Sequence, residues 1–149
     1  MGEILFYHLT EQPLERALPT LVERSLDRGW RVVVQTANVD RAAELSDLLW
    51  TFKAESFVAN GYAGRDDERA ADQPVWLTAD EDNPNGAAVR FMVDGATADA
   101  LAGYERAIFM FDGHDDAAVQ GARAEWKRRE GATRTYWAQT ETGGWEKRG

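Results

Sequence analysis

The sequence contains no cysteine, so disulfide frameworks, thiolate metal sites and a cysteine nucleophile are excluded. No window approaches the ~18 apolar residues of a membrane span. No cationic stretch precedes Ile4-Leu5-Phe6-Tyr7, and that apolar run is too short for a signal peptide. A myristoylation signal fails at Phe6, where Ser or Thr is required. The expectation is a soluble, cytoplasmic protein with no membrane partner. Positive charge is short as well: 17 Lys and Arg stand against 26 Asp and Glu, a net charge of −9. Phosphate repels such a surface at range, so direct DNA binding is not expected. No G-x-x-x-x-G-K-[ST] and no G-x-G-x-x-G follows a strand-like segment, and G-x-S-x-G is missing. The usual phosphate loops and the hydrolase nucleophile elbow therefore have no counterpart here.

What is present suits a packed domain: 149 residues, 44% of them hydrophobic, with Trp, Tyr and Phe spread along the chain. Glu3 to Leu9 reads as a strand. Thr10 is a candidate N-cap ahead of Pro13 and of an apolar stripe at Leu14, Ala17, Leu18, Leu21, Val22 and Leu26, ended by Gly29. Val32-Val33-Val34 is a β-branched run typical of a strand buried on both faces. Asn38 can cap a second helix carrying Ala42, Leu45, Leu48 and Leu49. Residues 61–73 read as a solvated loop. Strands follow at 74–78, 88–93 and 106–111, with a short helix at 98–102. A helix from about Asp115 to Glu130, stopped by Gly131, precedes a last strand at 133–139. Strand–helix alternation predicts an α/β fold: a mainly parallel, Rossmann-like sheet with helices on both faces. No linker or repeat interrupts the chain, so residues 1–149 are expected to form a single domain with a frayed tail from about residue 140.

Two acidic groupings invite a chemical reading. Asp80-Glu81-Asp82 with Gly86 glances at a calcium loop, but Pro84 takes the third ligand position and Phe91 the place of the bidentate Glu. Asp112, His114, Asp115 and Asp116 lie at a strand end, where α/β sites form. An N-cap and an acidic first turn account for the last two, and His8 is far away in sequence. The junction His8-Leu9-Thr10-Glu11-Gln12-Pro13 puts a carboxylate and a proline where a phosphate loop would offer N–H groups. No metal or cofactor is expected.

The aromatics are more suggestive. Trp50, Phe52 and Phe57 lie where the second helix gives way to the glycine-rich segment 59–64. They either close the core beneath a loop or are offered to a partner. In the last helix, at ~100° per residue, Ala118, Val119, Ala122 and Trp126 form a narrow apolar stripe, with Arg123 and Lys127 together on its flank. Basic residues near a helix C-terminus complement its dipole, which accounts for Arg128 and Arg129. Arg123 lies mid-helix, where that explanation does not reach.

Leu49-Trp50 followed by Ala54-Glu55-Ser56-Phe57-Val58, then Phe111-Asp112-Gly113, then Ala122-Arg123-Ala124-Glu125-Trp126-Lys127, resembles the chi subunit family of bacterial DNA polymerase III holoenzyme. Phe6-Tyr7-His8-Leu9 and the segment 131–137 extend the resemblance over nearly the whole chain. It implies a replisome adaptor without catalytic activity. Such an adaptor links the clamp loader, usually through a psi subunit, to the acidic C-terminal tail of the single-stranded-DNA-binding protein, which ends in Pro-Phe. Carried over by motif, the tail site comprises Trp50, Phe57, Phe111 and Arg123, with Lys127 following by position. Val119 stands where some members carry another basic residue, and Ala59-Asn60 replaces the usual Pro-His. The alternative reading is a small nucleotide- or metabolite-binding α/β protein or enzyme, using the strand ends near Thr36, Phe111 and His114.

Overall fold

The computed structural model describes residues 2–52 and 58–149. In chain order the elements are β1 (Glu3–Leu9), α1 (Leu14–Asp27), β2 (Val32–Gln35), α2 (Val39–Thr51), β3 (Gly61–Tyr62), a 3-10 segment (Asp67–Asp72), β4 (Val75–Thr78), β5 (Val89–Met92), β6 (Arg106–Asp112), α3 (Asp116–Arg128), β7 (Arg134–Gln139) and β8 (Trp145–Lys147). The strands join one sheet in the order β3-β4-β2-β5-β6-β1-β7-β8. Every pairing is parallel except β7 with β8. The α/β fold read from the alternation is therefore what forms, with Val32, Val33 and Val34 buried in the body of the sheet.

Two apolar layers cover the sheet, because successive strand side chains point to opposite faces. Leu5, Tyr7 and Leu9 of β1, with Ile108 and Met110 of β6, pack against Leu18, Val22, Leu45 and Leu49 of α1 and α2. Ile4 and Phe6, with Phe109 and Phe111, face the other way, onto Ala122 and the half-buried Ala118, Val119 and Trp126 of α3. From β1 the chain crosses through α1 to β2, three strands away in one direction. From β6 it crosses through α3 to β7, in the other. The right-handedness of such crossovers puts α1 and α2 on one face and α3 on the opposite one.

Caps at Asn38 and Asp115 form as read: Asn38 Oδ1 accepts from the Arg41 N–H at 2.8 Å, and Asp115 Oδ1 from Ala117 and Ala118. Thr10 does not cap α1, which starts after Pro13 with no side-chain cap. The expected loop at 61–73 contains β3 and the 3-10 segment. The expected helix at 98–102 is absent. Ala98, Leu101 and Tyr104 are buried instead, and Arg129 binds the carbonyls of Ala98 and Asp99, so this stretch lies as irregular backbone against the sheet. Where a frayed tail was expected, β8 pairs with β7, Trp145 packs 4.6 Å from the Tyr7 ring, and the Arg148 N–H donates to the Tyr136 carbonyl at 2.7 Å. No helix among the described residues is long and apolar enough to cross a membrane.

Candidate partner-binding site

Helix α3 is anchored at both ends by local chemistry. Asp115 caps its first turn, and Asp116 and Lys127–Arg128 complement the dipole at either terminus. Its small residues allow the apolar stripe to settle on aromatics: Trp126 meets Phe6 edge-on at 5.3 Å and Tyr136 at 6.0 Å. Five basic side chains lie between Arg123 and Arg134, and the structure divides them. Arg128 is paired with Asp99 and Glu125. Arg129 is held by Glu125 and two loop carbonyls, with its guanidinium 5.9 Å from the Phe109 ring. Arg134 donates to the Trp126 carbonyl and lies 4.3 Å over that indole. Arg123 and Lys127 are exposed and make no hydrogen bond or ion pair among the described residues.

Within reach of the Arg123 charge lies an aromatic group that sequence reasoning did not assemble. Phe111, only 8% exposed, has its ring 5.1 Å from the His8 imidazole and 6.0 Å from Tyr136. The Tyr136 hydroxyl is 2.8 Å from His8 Nδ1. Burial pushes the His8 pKa below its usual value, and the charges of Arg148, His114 and Arg123 push the same way, against a backbone hydrogen bond with Gly113. Burial also raises the Tyr136 hydroxyl, while Arg123 and Arg148 pull it down. Both arginines thus act on the His8–Tyr136 pair. Register explains the grouping: β1 lies between β6 and β7, and His8 is opposite Phe111 on one side and Ala138 on the other. Strand periodicity alone could have aligned His8 with the apolar face of β1. Nothing local announced Arg148, which arrives through β8.

Of the five expected site residues, Phe111 is buried on β6 in the layer that packs on α3, and Arg123 and Lys127 are exposed on α3, with the charge of Arg123 felt at the His8 ring beside Phe111. Trp50, 39% exposed at the end of α2, belongs to the opposite face of the sheet. Its separation follows from the crossover directions that put α2 and α3 on different faces. Phe57 lies outside the described residues.

A cavity of about 1050 Å³ opens along α3 at the C-terminal ends of β1, β5 and β6. Neither Arg123 nor Lys127 lines it. Its charged lining is mostly carboxylate, including Glu11, Glu15, Asp94 and Asp112, with Arg41 bridging Glu15 and Asp94. The first βα turn does converge three N–H groups, those of Thr10, Glu11 and Gln12, contrary to the expectation from Glu11 and Pro13. All three donate to Gln139 Oε1, at 3.0, 2.9 and 3.0 Å. A phosphate would find this cradle filled and its surroundings acidic. His114 donates its N–H to Asp112 and sets Nε2 2.7 Å from the Thr10 carbonyl. Among the described residues no group of three or more His, Asp or Glu could hold a metal ion.

Residues 1–135 match the family described as DNA polymerase III chi subunit, HolC. The chain is also similar to a protein of Rickettsia prowazekii (strain Madrid E) named probable DNA polymerase III subunit chi. Identity is 27% over 93 residues, which are 62% of this chain and 55% of that protein. The chain thus spans little more than half the length of that relative.

Proposed function

The chain belongs to the DNA polymerase III chi subunit family, a family of replisome accessory subunits, and from that premise we propose that it is a non-catalytic adaptor which grips the acidic, Pro-Phe-ending tail of the single-stranded-DNA-binding protein on the α3 face. One observation carries the reading. In a basic cluster where Arg128, Arg129 and Arg134 are all engaged, Arg123 and Lys127 are exposed and unpaired among the described residues, and the charge of Arg123 is felt at His8 and Tyr136, the neighbours of Phe111. A terminal carboxylate suits a planar guanidinium, which binds two oxygens at once. A terminal Phe suits neighbouring aromatic surface, and its burial is worth roughly 1.5–3 kcal/mol. Acidic residues upstream gain from Lys127, chiefly in on-rate.

An adaptor needs a second surface for the clamp loader, direct or through a psi subunit. Among the described residues the exposed large apolar side chains are Val39 and Trp50, both on α2. That placement on the far face of the sheet would let both partners bind at once. The nucleotide or metabolite alternative loses support at Gln139, which fills the N–H cradle such a ligand would use.

The test is a titration with a tail peptide carrying a free carboxylate, and with the same peptide amidated. Arg123→Ala should cost the contact of a charge-assisted hydrogen bond, roughly 1.5–3 kcal/mol, or about ten- to more than a hundredfold in affinity. Amidation should cost the wild type most of that and the variant little more. If both losses appear in full and add, Arg123 is not the carboxylate's partner.

A further inference from the structure

Resting on the reading of α3 as the tail-binding face, we propose that His8 and Tyr136 complete the carboxylate site and that the tail binds with uptake of one proton on the His8 imidazole. The geometry of the pair carries this. His8 is held between the Phe111 ring at 5.1 Å and the edge of Tyr136 at 5.9 Å, which leaves the imidazole little freedom to turn. Its Nε2 side abuts Gly113 so closely that a Cβ there would lie 2.2 Å from Nε2. With the ring neutral, Nδ1 is the free acceptor, and the Tyr136 hydroxyl donates its hydrogen to it across 2.8 Å. That hydroxyl is then spent.

Protonation reverses the bond. A proton taken from solvent onto Nδ1 makes that nitrogen a donor to the Tyr136 oxygen, because imidazolium has no acceptor. The hydroxyl hydrogen must then turn elsewhere, and a ligand carboxylate above the pair can accept it. No bond other than these hydrogen bonds is made or broken, and one proton moves from solvent to the ring. The result is a site with three charge-complementary elements: the Arg123 guanidinium, the His8 cation and the Tyr136 hydroxyl.

The surroundings explain why the free protein does not hold this proton itself. The groups acting on His8 are Arg123 from α3, Arg148 from beyond β8, His114 from the turn after β6, and Tyr136 from β7. None of these four brings a negative charge; of the nearby carboxylates, Glu146 pairs with Arg148 at 3.5 Å and Asp112 accepts the backbone N–H of His114, and neither is among the groups that act on the ring. Burial and the two arginines lower the pKa of His8, so the ring is neutral near pH 7. A bound carboxylate supplies the missing counter-charge and raises it again. The sign follows: affinity rises as pH falls from about 8 towards and through the lowered pKa of the free ring, then levels off once His8 is protonated in both states. One proton can change affinity by at most about tenfold per pH unit.

The experiment is a titration of the wild-type chain with the free-carboxylate tail peptide between about pH 5.5 and 8. It is run by calorimetry in two buffers of different ionisation enthalpy, so that proton uptake is read directly. The His8 ring resonances are followed by NMR in free and bound protein. Expected are a several-fold tightening towards low pH, uptake approaching one proton in the sloping region, and a higher His8 pKa in the complex. His8→Gln should flatten the profile and abolish uptake, Tyr136→Phe should remove most of the low-pH gain, and His114→Gln should keep both. Binding with a flat profile and no uptake overturns the proton linkage and leaves the adaptor reading standing. A slope that survives in His8→Gln, or disappears in His114→Gln, overturns the assignment to His8. Absence of peptide binding at every pH overturns both readings. The wild-type NMR titration decides the question even if the His8 variant does not fold.

Discussion

Gln139, near the end of β7, places its side-chain oxygen 3.0 Å from the Thr10 backbone nitrogen, joining strands read from opposite ends of the chain. The same oxygen also accepts from Glu11 and Gln12, so one buried amide satisfies the turn that leads into α1. Helix α1 has no side-chain cap of its own, and Gln139 serves the preceding turn in place of one.

Gln139→Leu should therefore leave backbone donors unsatisfied and cost about 1–3 kcal/mol, read as a lower urea midpoint with an unchanged m value. Gln139→Glu keeps an acceptor in place and should lose less. Equal losses in the two variants would show that packing, not acceptance, is what Gln139 supplies. With the cradle filled, ATP or inorganic phosphate should produce no thermal shift in the wild type.

Arg90 is fully buried and is solvated by neutral groups: Gln35 Oε1 at 2.6 and 3.1 Å, the carbonyls of Asp80 and Asp82 at 2.6 and 2.8 Å, and the Tyr104 hydroxyl at 3.2 Å. It ties the segment after β4 to β2 and β5. A lysine ammonium cannot reproduce this fan of donors. Arg90→Lys is expected to cost on the order of 3 kcal/mol, lowering Tm by roughly 6–12 °C. A thermal melt within 2 °C of wild type, on the scale of about 2–4 °C per kcal/mol, would contradict this.

Position should separate three variants in tail-peptide titrations. Trp50→Ala, on the opposite face from Arg123, is expected to leave affinity within about twofold. Arg128→Ala breaks an exposed pair with Asp99 and a second with Glu125, which keeps Arg129 as a partner. It should cost no more than about 1 kcal/mol of stability and little affinity. A loss for Trp50→Ala as large as that for Arg123→Ala would show that the two faces act on one ligand.

Salt offers a different check on the same site. Screening beyond about 8–10 Å at physiological ionic strength should weaken the contribution of exposed Lys127, while contacts to Phe111 and its aromatic neighbours persist. Tail affinity should fall with salt and then level off. A salt-independent affinity would remove Lys127 from the site, and complete loss at modest salt would remove the apolar contacts.

Local pattern was enough for the elements that bury one clear face. The apolar stripes of α1 and α2, the valine run of β2, and the caps at Asn38 and Asp115 are short-range features, and they were legible. So was the cation pair at Arg123 and Lys127, because four residues on a helix bring side chains together. Strand β3, with two residues, and β8, with three, carry too few positions for a period to register. Residues 98–102 have helix-compatible composition, but burial of Ala98 and Leu101 and the hold of Arg129 on two carbonyls override it.

The amino-acid sequence by itself determined the fold class, the order of the main elements, the chi family resemblance and the chemistry available on α3, since each depends on residue types at short spacing. Tertiary structure alone decided that Trp50 and Arg123 stand on opposite faces, that Gln139 fills the cradle of the first turn, and that His8, Phe111, Tyr136 and Arg148 meet. The physical reason is strand order. Inserting β1 between β6 and β7 and adding β8 at the edge joins residues more than a hundred positions apart, and no local periodicity encodes which strand will lie beside which.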